Sequence, residues 1–391
     1  MTRGRTLLFA VGAGAAVGNL YWAQPLLDVI ARDLGVGTAT AGLLVTLTQV
    51  GYAFGIFLVV PLGDVLDRRR LVPSVLVASA VALVLAAVAP SFAVLLVALA
   101  LLGTTTVAGQ LLLPLAGDLA DPAARGRVVG TVASGVLTGI LVSRTVSGLV
   151  AGWSGWRSVY VVAALAAVVL AVLVRRAIPE LPRREPVPYP RLVRSVFAVV
   201  AEHRTVRVTL VLSASTFAVF TLFWTALTFL LSAPPYSYST AAIGLVGLVG
   251  LTGAVAAQRV GRLHDRGLSV PVTGAALAIG FASMVVAGVG AGSIVVVLVA
   301  VVLLDVGVQG ANVLAQTRLF ALDPSARSRL NTAFVTGNFV GGATGSALAG
   351  VLWDLGGWTA VCVGGAVLFG FALTVWAVHR HGALVVEEPV G

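Results

Sequence analysis

One carboxylate in this chain lies where water would be scarce. Asp305, within Leu303-Leu304-Asp305-Val306-Gly307-Val308-Gln309, is the only acid near the middle of a long apolar run. A carboxylate at mid-bilayer costs several kcal/mol, so it must be paired, protonated or facing water. Such a group can take a proton from one side and release it to the other as its hydration changes. It can also simply tie helices together. Arg144 is the one basic residue inside an apolar run. It can pair with Asp28 or with Asp305, bind an anionic ligand group, gate a path, or snorkel.

A second set of residues is polar or aromatic but uncharged. It comprises Asn19, Tyr21, Gln24, Gln49, Tyr52 and Gln110, then Phe220, Trp224, Gln309, Asn312 and Asn338. An amide in an apolar run needs a partner, so each is expected to point inward, toward a neighbouring helix or a ligand. Phe217, Phe220 and Trp224 follow helical spacing, which favours packing, although Trp224 can also stack on a flat ligand. The four histidines, His203, His264, His379 and His381, fall in polar segments, so no imidazole relay or metal site is expected in the apolar runs.

The elements that must hold these residues follow from composition. The chain has 391 residues, 59% hydrophobic and 10% charged, with a mean hydropathy of +1.03. A soluble fold needs a more polar exterior than that. The apolar runs reach the 20 or so residues that a spanning helix requires, and they lack the period-two alternation of a membrane barrel. Twelve spans are expected, at 6–31, 39–61, 71–89, 92–117, 128–151, 157–174, 208–231, 240–259, 271–290, 293–317, 330–352 and 358–378. The basic start and first apolar stretch resemble a signal peptide, but the stretch runs too long and reads as the first span.

All 25 basic residues are arginine, and the net charge of +10 reflects their place in short loops, not nucleic-acid binding. With the N-terminus inside, 22 arginines are cytoplasmic, Arg32 and Arg157 are external, and Arg144 is within a span. The expectation is a multi-pass plasma-membrane (inner-membrane) protein with both termini cytoplasmic. The proline- and arginine-rich stretch 175–207 separates residues 1–174 from 208–391 as a linker, and Leu192 to Val200 within it can lie along the membrane surface. Cys362 is the one cysteine, so no intrachain disulfide forms.

The second half repeats the first. Asp121-Pro122-Ala123-Ala124-Arg125-Gly126-Arg127 returns as Asp323-Pro324-Ser325-Ala326-Arg327-Ser328-Arg329, and Gly155-Trp156 as Gly357-Trp358, both at an offset of 202. Gly63, Asp67 and Arg68 return as Gly261, Asp265 and Arg266 at an offset of 198. Two parallel six-helix repeats around a midplane site are a transporter architecture.

With Gly63-Asp64-Val65-Leu66-Asp67-Arg68-Arg69-Arg70 in the loop after the second span, the chain resembles the major facilitator superfamily. The resemblance implies an all-α membrane fold of two pseudo-symmetric six-helix bundles, with Asp67 and Arg68 locking the cytoplasmic side of one conformation. This chain has Arg70 where the family pattern has a second glycine. The run Gly135-Val136-Leu137-Thr138-Gly139, then Ser143-Arg144 and Gly148, is similar to the glycine-rich fifth helix of the family's antiporters, without their proline. In that family the tenth helix lines the central cavity, which places Asp305 there.

No Gly-x-x-x-x-Gly-Lys phosphate loop is present, so ATP does not drive the chain directly, and no cofactor is expected. The leading expectation is a monomeric, proton-coupled exporter of small apolar or cationic compounds, with protons and lipid as its partners. A proton symporter or facilitator for uptake shares the same fold. A membrane-embedded enzyme or sensor is the remote alternative, for no nucleophile, base and acid cluster at one depth. The glycines Gly244, Gly247, Gly250 and Gly253, and Gly337, Gly341 and Gly345, are expected to be helix-packing surfaces.

Overall fold

The computed structural model describes residues 1–180, 188–250, 253, 267–323 and 326–385. Every regular element among them is helical, as a backbone without water must be when it cannot close into a barrel. In chain order the helices are α1 (Arg3–Gly18), α2 (Leu27–Leu34), α3 (Thr38–Ala41), α4 (Leu43–Leu58), α5 (Leu62–Val65), α6 (Arg68–Ala87), α7 (Phe92–Thr105) and α8 (Ala108–Leu119). They continue with α9 (Arg125–Ser154), α10 (Trp156–Ala177), α11 (Tyr189–Glu202), α12 (Arg204–Ser232), α13 (Thr240–Val246), α14 (Ser269–Val289), α15 (Ile294–Leu322) and α16 (Arg327–His379).

Among the described residues, nine helical segments of 20 to 53 residues are long and apolar enough to cross a membrane. Their outer faces confirm which solvent they meet. On α10, Val161, Val162, Leu165, Val168, Val169 and Val172 are exposed while Ala163, Ala164, Ala167 and Ala171 are buried. Four alanines pack inward there, beside Tyr160, Leu170 and Val174, while a band of valines with Leu165 is left facing out, as on helices that pack closely and present apolar bulk to lipid.

The spans are less continuous than the sequence suggests. The first is broken: α1 ends at Gly18, a 3-10 turn covers Gln24–Leu26, and α2 follows. Pro25 contributes no backbone N–H and restricts Gln24, which suits a turn. The fourth is divided between α7 and α8 at Thr106 and Val107. The last two merge into α16 with non-helical backbone at Gly356 and Gly357. The eighth begins as α13 and a 3-10 turn at Gly247–Gly250, and Gly261, Asp265 and Arg266 lie outside the described residues.

Contacts divide the chain into two compact units, one of Met1–Val193 with Ser237–Leu248 and one of Arg194–Tyr236 with Val249–Gly391. The repeat is visible inside each. In the first, a Cβ on Gly139 would sit 2.1 Å from the Gly14 carbonyl oxygen, so α9 crosses α1 at backbone contact. In the second, a Cβ on Gly341 would sit 2.2 Å from the Ala214 oxygen, and one on Gly345 closer still to that of Ala218, so α16 crosses α12 likewise. Gly155 and Gly357 both take positive φ, 79° and 59°, at the matching turns. The indoles that follow them both donate: Trp156 to Asp33 at 3.1 Å, Trp358 to the Ala287 carbonyl at 2.9 Å.

The surface-helix expectation corresponds to α11. Val196 and Val199 are buried, Val199 in a cluster with Val206, Leu319, Leu330 and Phe334, while Arg191, Arg194 and Phe197 are exposed.

Candidate functional site

In the first unit the broken helix brings a polar chain together. Asn19, at the end of α1, donates from its amide to Thr106 Oγ1 at 2.9 Å and accepts from the Trp22 indole at 2.7 Å. Thr106 donates in turn to the Ala16 carbonyl at 2.6 Å. The two interrupted helices thus satisfy each other where their own ladders stop. Discontinuous helices of this kind form substrate and ion sites in secondary transporters.

Arg144, 3% exposed on α9, reaches this break. Its Nε donates to Gln24 Oε1 at 2.7 Å, and its guanidinium carbon lies 4.6 Å from the centre of the Tyr21 ring, a cation–π contact. Ser147, one turn on, donates to the Trp22 carbonyl at 2.7 Å. Gly247 provides the room, since a Cβ there would lie 3.0 Å from Arg144 Cβ. Asp28 is engaged elsewhere: it pairs with Arg32 at 2.5 Å, one turn along α2. On α4, Gln49 and Tyr52 are buried one turn apart, and Gln110 on α8 donates to the Tyr52 hydroxyl at 3.3 Å.

In the second unit Asp305 is 3% exposed in the middle of α15, and the Trp224 indole of α12 donates to its Oδ1 at 3.4 Å. Gly253 packs on it, with a Cβ there 3.0 Å from Asp305 Cβ and 3.1 Å from Gln309 Cγ. Phe220 and Trp224 have ring centres 6.3 Å apart, and Phe217 lies 5.1 Å from Phe339 of α16, so the stripe does pack between helices. Asn312 and Asn338 hold each other: Asn338 donates to Asn312 Oδ1 at 3.1 Å, and the single Ser213 hydroxyl lies within donating reach of Oδ1 of either.

At the end of the second span, Arg68 donates to Gly63 O at 2.7 Å, to Asp64 Oδ1 at 2.9 Å and to Asp118 Oδ2 at 2.9 Å. Asp67 caps α6 by accepting from the Arg69 N–H at 2.9 Å. Asp118, Trp22, Thr106 and Ser213 escaped the sequence reading. Asp118 sits just past the apolar run 92–117, where an acid looks like solvated loop, and nothing in its neighbours announces Arg68.

Long apolar helices with outward bulk, broken spans and buried polar side chains at the breaks define a multi-pass membrane transporter. The Major Facilitator Superfamily model matches residues 8–322, and the chain belongs to that family. It is 39% identical over 379 residues to the uncharacterized transporter YgaY of Escherichia coli O157:H7, with 96% of each chain covered. It is 34% identical over 363 residues to the probable transporter SCO4007 of Streptomyces coelicolor, covering 92% of this chain and 84% of that one. Among solved structures, a bacterial homolog of the human lysosomal transporter Spinster, inward-facing and occupied, superposes with a TM-score of 0.78 at 15% identity, covering 95% of each chain. The nucleoside transporter NupG gives 0.78 at 12% identity, covering 96% of this chain and 99% of that one. These last two likenesses concern the fold. The protein is a transporter and not an enzyme, and the expected all-α fold of this family is found.

Proposed function

We propose that the protein is a proton-coupled exporter of small apolar or cationic compounds, working by alternating access. The observation that carries this reading is Asp305, a carboxylate 3% exposed at the centre of an apolar helix, with the Trp224 indole as a hydrogen-bond donor. Carboxyl groups in general exchange a proton as their access to water changes. That is the property a proton-exchanging carrier needs. Twelve spans in two halves, 1–174 and 208–391 joined by the 175–207 linker, complete the reading. So do a plasma-membrane location, cytoplasmic termini, which the arginine distribution supports, and a monomeric carrier.

The test is the direction of driven transport. In inside-out vesicles with an acidic lumen, an exporter that exchanges substrate for protons accumulates a lipophilic cationic dye. A proton symporter for uptake expels it from the lumen under the same gradient, and that result would replace the exporter reading.

A further inference from the structure

Corresponding corners of the two units each bury an arginine, in different company. In the first unit the corner lies between the start of α6 and the end of α8, where Arg68 meets Asp64 and Asp118. In the second, the repeat places it between the start of α14 and the end of α15. Those helices follow Gly261, Asp265 and Arg266 in sequence and precede Asp323-Pro324. There Arg318 of α15 is 3% exposed. It donates from Nη2 to Thr273 Oγ1 at 3.1 Å and to Ser269 Oγ at 3.4 Å, both on α14. Among the described residues, no acid lies within salt-bridge reach of it.

A buried charge needs an opposite charge or several dipoles, and two hydroxyls supply little of either. The groups left over at this corner are donors. Both bonds from Arg318 leave Nη2, so Nε and Nη1 have no acceptor among the described residues. Thr273 gives its own hydrogen to the Ser269 carbonyl at 2.7 Å. The Ser269 hydroxyl has no described acceptor for its hydrogen. Ser269 is also the first residue of α14, a helix of 21 residues with no side-chain cap and no acid in its first turn. The unbonded N–H groups there carry the positive end of the helix dipole. Ser269 is half-buried and Leu268 is 43% exposed, so the corner opens at that end.

Donors and positive charge without an acceptor suit a group that only accepts and is negative. We infer that this corner is an oxyanion site, where a phosphate group gives Arg318 what Asp64 and Asp118 give Arg68. Its source is an anionic lipid headgroup, of the kind that basic pockets between membrane helices hold, or a free phosphate ion. The site stands apart from Asp305 and does not depend on the exporter reading.

The experiment reads thermal unfolding of the purified full chain in nanodiscs of phosphatidylcholine, with and without phosphatidylglycerol. A second arm, in detergent, compares inorganic phosphate with chloride at equal ionic strength. The proteins are wild type, Arg318→Gln, Ser269→Ala, Asp265→Asn and, as a control that removes an exposed arginine of the same unit, Arg194→Gln.

Wild type should gain roughly 3–8 °C from the anion. A gain with phosphatidylglycerol alone identifies a lipid headgroup, and a gain with inorganic phosphate as well identifies a free-ion site. Arg194→Gln should keep the gain and Arg318→Gln should lose it. In phosphatidylcholine Arg318→Gln should be no less stable than wild type, since no paired acid loses its partner. Ser269→Ala leaves the buried charge in place and should show a reduced gain, which carries the test if Arg318→Gln does not fold. No gain from either source, or a full gain in Arg318→Gln or Ser269→Ala, would overturn the inference. So would an equal loss of several degrees by Arg318→Gln and Asp265→Asn in phosphatidylcholine, because the chain would then supply the anion itself.

Discussion

Arg68 joins the first residue of α6 to the penultimate residue of α8, donating to Asp118 Oδ2 at 2.9 Å while its other N–H groups hold Asp64 Oδ1 and the Gly63 carbonyl. Its side chain is 10% exposed, whereas that of Asp118 is 47% exposed. The guanidinium reaches its three acceptors from three separate nitrogens, Nε, Nη1 and Nη2, whereas an ammonium donates all its N–H bonds from one atom and cannot span the same positions. Arg68→Lys should therefore destabilise the protein by about 1–3 kcal/mol. Asp118→Asn, half in solvent, should cost about 1 kcal/mol or less. Thermal unfolding in a single detergent compares them, and equal effects would mean that the three-way geometry is unimportant.

Asp33 is expected to make the protein acid-sensitive at one identifiable place. Hydrogen bonds first from Arg157 at 2.5 Å and then from Trp156 at 3.1 Å hold its carboxyl below the usual aspartate value. A carboxyl whose folded pKa is depressed binds protons more readily in the unfolded chain. Its contribution is thus complete above the ordinary value near 3.8 and is lost as pH falls through the lower folded value. Unfolding midpoints measured from pH 6 down to pH 3 should fall more steeply for wild type than for Asp33→Asn below about pH 4. Parallel curves would remove Asp33 from the account. The side chain is 45% exposed, so the effect should also shrink in high salt.

The glycine stripe on α16 separates tight positions from loose ones. A Cβ on Gly345 would fall inside the van der Waals radius of the Ala218 carbonyl oxygen, a backbone atom that cannot step aside. At Gly337 the nearest atom would be Leu210 Cδ2 at 3.5 Å, an ordinary contact. Gly345→Ala should lower stability by about 1–3 kcal/mol or prevent correct assembly, while Gly337→Ala should be within about 0.5 kcal/mol of wild type. Fluorescence size-exclusion profiles after heating measure both. A harmless Gly345→Ala would contradict the close crossing of α12 and α16.

Much of the fold was legible because lipid imposes simple rules. Length and apolarity announced the helices, and the repeated Gly155-Trp156 and Gly357-Trp358 marked turns that share a positive φ and a donating indole. The breaks near Asn19 and Thr106 were not seen, since their residues are apolar or small enough to extend a helix and only Pro25 hints otherwise. What stops those helices is long-range exchange: Asn19 and Thr106 bond each other across 87 residues. The candidate residues were found by the same logic that a polar group in an apolar run needs a partner. Which partner was beyond that logic. Asp28 turned out to hold Arg32, and Asn312 and Asn338 hold each other, which favours a structural role for that pair.

The central claim is that Asp305 carries the coupling proton, and Asp305→Asn tests it most directly. The measurement is accumulation of a fluorescent lipophilic substrate in inside-out vesicles under an imposed acidic lumen, alongside its binding to the same protein without a gradient. An asparagine fills the same space and can still bond Trp224, but it cannot take up or release a proton. The account predicts that wild type accumulates substrate and that Asp305→Asn binds it yet accumulates none above equilibrium. Equal gradient-driven accumulation by the two proteins would show that Asp305 is a structural acid and that coupling resides elsewhere.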